Sequence, residues 1–225
     1  MNDPRAPWRL TRRQFAAGLA ASGVAASGLA PAARADSMPE ALSCRIFRAG
    51  RQVGTAAYQF MRQDGVLTVD LAVELRVKLG FITLFHYKHH NQEQWRGDRL
   101  VWFSARTDRN GEPGFANARW NGKGLMVQGS GTRPYLAPPN ALGTSYWNFR
   151  TVNAPLIDSQ NGRMLQVRIA DIGPSHAPRA DGPAVPATLY DMSGDIRLNL
   201  WYAAEHLAGL EYFAHDGSVL KYEMG

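Results

Sequence analysis

Hydrophobic and polar residues alternate along residues 66–79, VLTVDLAVELRVKL, with little interruption. Leucine or valine occupies every second position from Leu67 to Leu79, and the positions between them are mostly polar or charged. A period of two predicts one half-buried antiparallel strand, which at about 3.3 Å per residue is more than about 40 Å long. Because ordinary strands have about five or six residues, a strand of this length requires a large curved sheet.

Shorter alternating segments lie before and after residues 66–79, and residues that favour turns separate them. Asp64-Gly65, Asn110-Gly111, Asn121-Gly122 and Asp216-Gly217 are dipeptides typical of tight hairpins. We count about ten strands, with loops at the Pro-rich residues 134–139 and at residues 173–184, and a helix or helical turn within residues 141–154. The pattern predicts a mainly β protein: a single antiparallel, strongly curved sheet or open half-barrel, with one or two short helices over its mouth.

The stretch HYKHHNQEQW, residues 86–95, holds three of the six histidines. On a helix, His86, His89 and His90 would share one face and form a plausible metal cluster. On a strand, which the local alternation favours, His89 points away from the other two, and these lie about 13 Å apart. Zinc requires ligand nitrogens within about 2.1 Å of the ion, so we assign no metal ligand.

The strand interpretation places His89 and Glu93 on one face with the aromatic residues Tyr87 and Trp95. If this face points inward, these are polar groups within an aromatic cavity, which is how a ligand site fixes orientation. The alternative is that the face turns outward near the end of the strand.

Further aromatic residues follow the Pro-rich loop at Tyr146 and Trp147, and Asp158 comes soon after. Aromatic side chains between strands either plug the open end of a curved sheet or roof a cavity. The predicted ligand-binding residues are therefore Tyr87, His89, Glu93, Trp95, Tyr146, Trp147 and Asp158.

No catalytic constellation stands out in the sequence. Gly129-Ser130-Gly131 is not a nucleophile elbow, and the common zinc, phosphate-binding and dinucleotide-binding motifs do not occur. We assign no catalytic residue and no cofactor.

The first 35 residues have the pattern of an export signal. Arg12, Arg13 and Phe15 precede a mild apolar run that ends at Ala33 and Ala35, which look like a twin-arginine signal with its cleavage site. We predict a signal peptide at residues 1–35 and one β-rich domain at residues 36–225, in a protein that is periplasmic or otherwise exported and has no transmembrane span once the signal is removed. Retention of the signal as an anchor, or a lipid anchor at Cys44, is the alternative.

Removing the signal changes the charge of the chain. The signal holds five of the 25 basic and one of the 19 acidic residues, which leaves 20 basic and 18 acidic residues, a formal net charge of +2. The basic character therefore belongs mostly to the signal, and it does not support nucleic-acid binding. A single cysteine cannot form an intramolecular disulfide, so the domain must depend on its core.

Several motifs together resemble an uncharacterised family of exported bacterial β-proteins, a domain of unknown function that covers nearly the whole mature chain. These motifs are LGFITLF with HYKHH (residues 79–90), EQWRGDRL (93–100), SYWN (145–148), DSQNG (158–162) and LWY (200–202). The layout is also similar to another family of periplasmic β-proteins and, distantly, to the periplasmic lipoprotein-carrier half-barrels. The chain departs from the pattern at residues 203–206, where an Asp-Gly turn is expected.

These observations favour a binding or carrier protein for an apolar or amphipathic ligand, such as a lipid, held in a half-barrel cavity. The export signal implies the twin-arginine machinery as a partner. Because that route carries folded proteins, a metal-containing enzyme or redox protein loaded before export is the alternative, and a structural role in an envelope complex is a third possibility.

Overall fold

A computed structural model describes residues 40–79 and 82–225. The predicted signal, with Arg12, Arg13, Phe15, Ala33 and Ala35, lies outside the described residues. The strands are β1 (Ala41–Arg48), β2 (Arg51–Gln63), β3 (Val66–Leu79), β4 (Ile82–Arg96), β5 (Arg99–Arg109), β6 (Glu112–Trp120), β7 (Leu125–Gly129), β8 (Thr132–Ala137), β9 (Leu142–Gly143), β10 (Leu156–Ile157), β11 (Val167–Ala177), β12 (Val185–Gly194), β13 (Leu198–Ala203), β14 (His206–Phe213) and β15 (Val219–Met224).

Thirteen of these strands form one sheet in the order β11-β12-β13-β14-β15-β1-β2-β3-β4-β5-β6-β7-β8. Every pair of neighbours is antiparallel. Near the middle of the sheet, β1 pairs with β15, the last strand along the chain, with Cys44 opposite Met224. The sheet is not closed, because β8 and β11 are its two edges. The prediction of a mainly β, open antiparallel fold is confirmed, but about ten strands was too few.

Both edge strands were wrongly predicted in part as loops. β8 contains Pro134 and β11 contains Pro174, and each proline lies near an irregularity in the register, opposite Val127–Gly129 and at Asp171–Gly173. Proline has no N–H to donate to a ladder, so within a sheet it is tolerated at edges and bulges. The same residues that indicate a loop in sequence are those that an edge strand accepts.

The prediction of short helices over the mouth of the sheet is also wrong. In the part of the chain that the structure describes, the helical structure is one 3-10 helix, Phe149–Asn153, which begins after Asn148, whose side chain accepts a hydrogen bond from the Arg150 N–H. Its Phe149 ring packs edge-on against Tyr190 and Tyr202, at 5.8 and 5.2 Å between ring centroids. The helix therefore packs against β12 and β13 and does not cover an opening.

The turn between β13 and β14 is tight although it lacks the expected Asp and Gly. Ala204 and Glu205 both adopt positive φ, at 46° and 68°. A two-residue hairpin turn of this kind requires positive φ at both positions, which Asn-Gly or Asp-Gly adopt more easily. Ala204 and Glu205 therefore form a two-residue hairpin turn in place of Asp and Gly, next to a register irregularity at Trp201 and Tyr202.

The core lies on one face of the sheet. Along β3, Leu67, Val69, Leu71 and Leu75 are buried, while the alternate residues such as Glu74 are exposed. This is the predicted face, and its side chains meet those of β13 to β15 from the other half of the sheet in one cluster. Strands that are distant in the sheet order share a core because the sheet curves.

Candidate ligand-binding cavity

A cavity of about 560 Å³ opens on the inner side of the curved sheet. Its wall is mainly apolar and comes from both halves of the sheet, with Leu71, Val73, Leu75 and Val77 from β3 and Leu198, Leu207, Leu210 and Leu220 from β13 to β15. The volume corresponds to about 19 water molecules at about 30 Å³ each. A methylene group occupies a similar volume, so one hydrocarbon chain or small ring system fits.

Strand register places two tyrosines at the same depth on opposite sides of this cavity. Tyr222 lies opposite Ile46, Ile46 opposite Gly54, Gly54 opposite Leu75, and Leu75 opposite Tyr87. A side chain at Gly54 would meet Leu75, whose Cδ2 lies 2.8 Å from an ideal Cβ. The row therefore crosses five strands, with a large inward side chain at every position except Gly54, and the curvature of the sheet makes its two ends face each other.

The inner face of β4 is the one with Phe85, Tyr87 and His89. These three rings form a stacked ladder with centroids 6.4 and 6.2 Å apart along the wall of the cavity. The opposite face, with His90, points outward, where the His90 Nε2 atom lies 3.0 Å from Asp70 Oδ1. The predicted strand is confirmed, and so is the separation of its histidines between two faces.

His89 is a buried, uncharged histidine at neutral pH. Its Nδ1 atom lies 2.9 Å from the hydroxyl oxygen of Thr107 on β5. Burial, with a smaller effect of His90, lowers the pKa of His89 to about 4. Among the residues that the structure describes, no group of three or more His, Cys, Asp or Glu side chains is arranged to hold a metal ion.

Glu93, Trp95 and Trp147 lie beside the cavity and do not line it. The Glu93 carboxylate accepts hydrogen bonds from both indole N–H groups, each at 2.9 Å, and from the Asn91 amide at 3.0 Å. The two indoles pack edge-on with centroids 5.2 Å apart. A carboxylate that is fully buried is tolerated only with such partners, so these residues anchor the segment between β8 and β11 against β4.

Tyr146 and Trp147 are neighbours with different surroundings. Trp147 plugs the interior next to Glu93, whereas Tyr146 lines the cavity. Tyr146 has a positive φ of 60°, and its carbonyl accepts a hydrogen bond from the Tyr202 hydroxyl at 2.7 Å. Of the two roles left open by the sequence, Trp147 has that of a plug and Tyr146 that of a cavity wall.

Asp158 lines the cavity, and its own loop holds it in place. Its Oδ1 accepts a hydrogen bond from the Gln160 N–H at 2.8 Å and its Oδ2 accepts one from the Asn161 amide at 2.7 Å. Burial raises the pKa of Asp158 despite these bonds. Next to it, the Arg109 guanidinium donates to the Gln160 side chain at 3.1 Å, so a cation and a carboxylate adjoin at this rim.

Three glycines that sequence reasoning did not use seat the turn at residues 158–162. A Cβ at Gly114 would lie 2.6 Å from the Gln160 carbonyl oxygen, one at Gly129 would lie 2.1 Å from the Asn161 carbonyl oxygen, and one at Gly131 would lie 2.9 Å from the Asn161 Cβ. Gly114 and Gly129 lie within strands, where glycine indicates close approach of another backbone, and this was the available signal.

The C-terminal half of the wall was also missed. Tyr212 and Tyr222 line the cavity from β14 and β15, and Cys44 lines it from β1. Cys44 is buried within a strand, and burial raises the pKa of its thiol to about 12. Alternation in residues 207–223 predicts inward positions there, but nothing in the sequence pairs them with β4.

The fold and this cavity define an open antiparallel β-sheet protein with an internal, largely apolar pocket. The chain belongs to the family described as "Domain of unknown function (DUF6134)", whose model matches residues 45–225. The expected membership of an uncharacterised β-domain family is confirmed.

Among solved structures, the chain is similar to a "Beta-barrel-like Protein of Domain of Unknown Function DUF1849 from Brucella abortus". The TM-score is 0.55 at 10% sequence identity, and the match covers 82% of this chain and 94% of that one. At this identity the similarity shows the fold alone. Comparison with curated proteins gave no match. No helix among the described residues is long and apolar enough to cross a membrane.

Proposed function

We propose that the protein binds or carries an apolar or amphipathic small molecule in the cavity of its half-barrel. The observation that supports this is a roomy, mainly apolar space on the concave side of the sheet, left open between the two halves. Ligand sites are typically concave, mostly apolar and of about 300–1,000 Å³, with a few polar groups that fix orientation. Tyr87, His89, Tyr146 and Asp158 are the predicted polar contacts that line it.

In this proposal Glu93, Trp95 and Trp147 support the site without touching the ligand. They keep the segment that carries Tyr146 and Asp158 against β4. The ligand-binding set therefore consists of four of the seven predicted residues, joined by residues of β14 and β15.

We further propose that the protein works after export by the twin-arginine route. Arg12, Arg13 and the Ala33-Arg34-Ala35 pattern support this. Fractionation of cells producing the full chain tests it: we expect the mature protein in the periplasm and retention in the cytoplasm after Arg12→Lys with Arg13→Lys. Equal export of the double variant would contradict this route.

A pair of neighbouring substitutions on β3 tests the binding proposal. Val73 faces the cavity, whereas Ala72 is exposed on the outer face of the same strand. Val73→Trp fills the space, so we expect it to abolish binding of the fluorescent apolar probe N-phenyl-1-naphthylamine and to remove lipid that copurifies with the full chain. Ala72→Trp is the matched control and should bind like the wild type.

Circular dichroism of both variants checks that the sheet is intact. If Val73→Trp folds and binds the probe as well as Ala72→Trp does, the cavity is not the binding site.

A further inference from the structure

Three of the tyrosine hydroxyls inside the cavity form no hydrogen bond within the described protein. Among the described residues, the hydroxyls of Tyr87, Tyr212 and Tyr222 have no hydrogen-bond partner. They are also absent from the fully enclosed polar atoms that lack a partner, which are His86 Nε2 and Asn91 Oδ1. These hydroxyls therefore border the open space of the cavity.

Other tyrosines of the same region use their hydroxyls within the protein. Tyr58 donates to the Ser145 carbonyl at 2.9 Å, and Tyr202 donates to the Tyr146 carbonyl at 2.7 Å. Phe85 occupies the inner position next to Tyr87, so this wall accepts a ring without a hydroxyl. A hydroxyl that borders open space can hydrogen-bond only to water or to a bound molecule, which makes these three hydroxyls candidates for contact with a ligand.

The free groups are close together. Tyr87 and Tyr222 lie at the two ends of the same row of five strands. Tyr87 also contributes to the raised pKa of Tyr222, and both contribute to the raised pKa of Tyr146. His89 lies one inner position from Tyr87, and only its Nδ1 has a partner among the described residues. The cavity thus presents uncharged donors and acceptors in one region.

The charged groups of the cavity are balanced in pairs. Arg48 binds Asp216 at 2.9 Å at one rim, and Arg109 lies beside Asp158 at another, where its charge lowers the Asp158 pKa against the effect of burial. An ionised head group would have to give up water to enter, and among the described residues that line the cavity no unmatched opposite charge offsets that cost.

Building on the proposed function, we infer that the ligand is an uncharged single-chain or small-ring amphiphile whose hydroxyl or carbonyl oxygen hydrogen-bonds to Tyr87 and Tyr222 inside the cavity. The volume of about 560 Å³ is suited to one chain rather than a two-chain phospholipid. The stacked Phe85, Tyr87 and His89 rings then lie along the ligand on one side, and the leucines of β13 to β15 lie on the other.

Displacement of N-phenyl-1-naphthylamine from the full chain by three ligands of equal chain length tests this. We expect 1-dodecanol to displace the probe at about fivefold or more lower concentration than dodecanoate or dodecyltrimethylammonium. Tyr87→Phe and Tyr222→Phe should each weaken 1-dodecanol binding about fivefold more than they change the affinity for the probe. Tyr190→Phe removes a hydroxyl outside the cavity and is the matched control.

Two kinds of result would overturn these proposals. Tighter binding of dodecanoate, or equal binding of the three ligands with no effect of either substitution, overturns the assignment of an uncharged head group and leaves the binding function intact. If neither the probe nor any ligand binds the folded protein, the proposed function fails as well.

Discussion

The inner face of β4 consists of two regions with opposite character. In the open region, Phe85, Tyr87 and His89 border the cavity, and in the filled region, Glu93 and Trp95 are enclosed. Alternation along the strand is the same in both. The difference is Trp147, which the segment between β8 and β11 inserts at one end of the strand only.

The hydrogen bonds of the polar groups on this face differ between the filled and the open region. Glu93 in the filled region accepts three hydrogen bonds from protein donors. In the open region the Tyr87 hydroxyl has no partner among the described residues. Asn91 lies at the boundary, where its amide donates to Glu93 while its Oδ1 is enclosed without a partner. Groups satisfied by the fold serve stability, and free groups that border the open space of the cavity are available to a ligand.

The largest expected effect is at the centre of the filled region. Glu93→Ala leaves two indole N–H groups and an amide without their acceptor, so we expect the free energy of unfolding to fall by about 3–5 kcal/mol. Urea denaturation measures this, and Glu93→Gln, which keeps one acceptor, should cost less. A loss below about 1 kcal/mol for the alanine variant would show that the carboxylate does not anchor Trp147.

The next effect appears only in acid and belongs to the open region. The pKa of His89 is lowered to about 4, below its unfolded value, so the unfolded chain binds the extra proton first. Stability from keeping His89 neutral is present above about pH 6.5, declines as pH falls, and is lost below about pH 4, in total about 3 kcal/mol.

Urea denaturation of wild type and His89→Leu across this pH range isolates the effect. As pH falls, the free energy of unfolding should decrease more for the wild type than for His89→Leu. Asp158 is present in both proteins, so its titration does not affect this difference. His90→Gln is the control: Asp70 raises the pKa of His90, so its contribution is present at low pH and lost as pH rises. Parallel pH profiles for wild type and His89→Leu would contradict the burial of a neutral histidine.

A smaller loss is expected where the turn that carries Asp158 rests on the sheet. Gly129→Ala places a Cβ against the Asn161 carbonyl, which must move, at a cost of about 1–3 kcal/mol. At Gly209 the nearest atoms lie 3.6 Å from an added Cβ, so Gly209→Ala should cost less than about 1 kcal/mol. Thermal unfolding of both variants compares them, and equal losses would argue against a close fit of the turn.

The smallest effect compares two hydroxyls. Tyr58→Phe removes a hydrogen bond to the Ser145 carbonyl and should cost about 1 kcal/mol. Tyr87→Phe removes a hydroxyl without a protein partner and should change the free energy of unfolding by less than about 0.5 kcal/mol. Urea denaturation of the ligand-free variants checks this. An equal cost at both positions would mean that the Tyr87 hydroxyl serves the fold.

Much of the fold followed from alternation. β3 occurs at its predicted bounds, and the strand that holds His86, His89 and His90 separates them as predicted. The edge strands were missed because Pro134 and Pro174 indicate loops when only the local sequence is considered. The local sequence does not show that β8 and β11 each have a neighbouring strand on one side only, which is why they accept proline.

Only part of the candidate site could be predicted from the sequence. Tyr87 and His89 could be found because strand periodicity places them on one face with other aromatic residues. Tyr222 could not be linked to Tyr87, since the two lie 135 residues apart in the chain and are connected through a row that crosses five strands. Glu93 and Trp147 were predicted as ligand contacts, whereas the structure encloses both and joins them by a hydrogen bond, which gives them a supporting role.

Periodicity within each strand therefore decided which residues point to the same side, because successive side chains in an extended chain alternate by covalent geometry. It did not decide which side is the interior, which parts of that interior are filled, or which polar atoms have partners. Those depend on the curvature of thirteen strands and on where one connecting segment places a tryptophan, and such long-range contacts exist only in the folded chain.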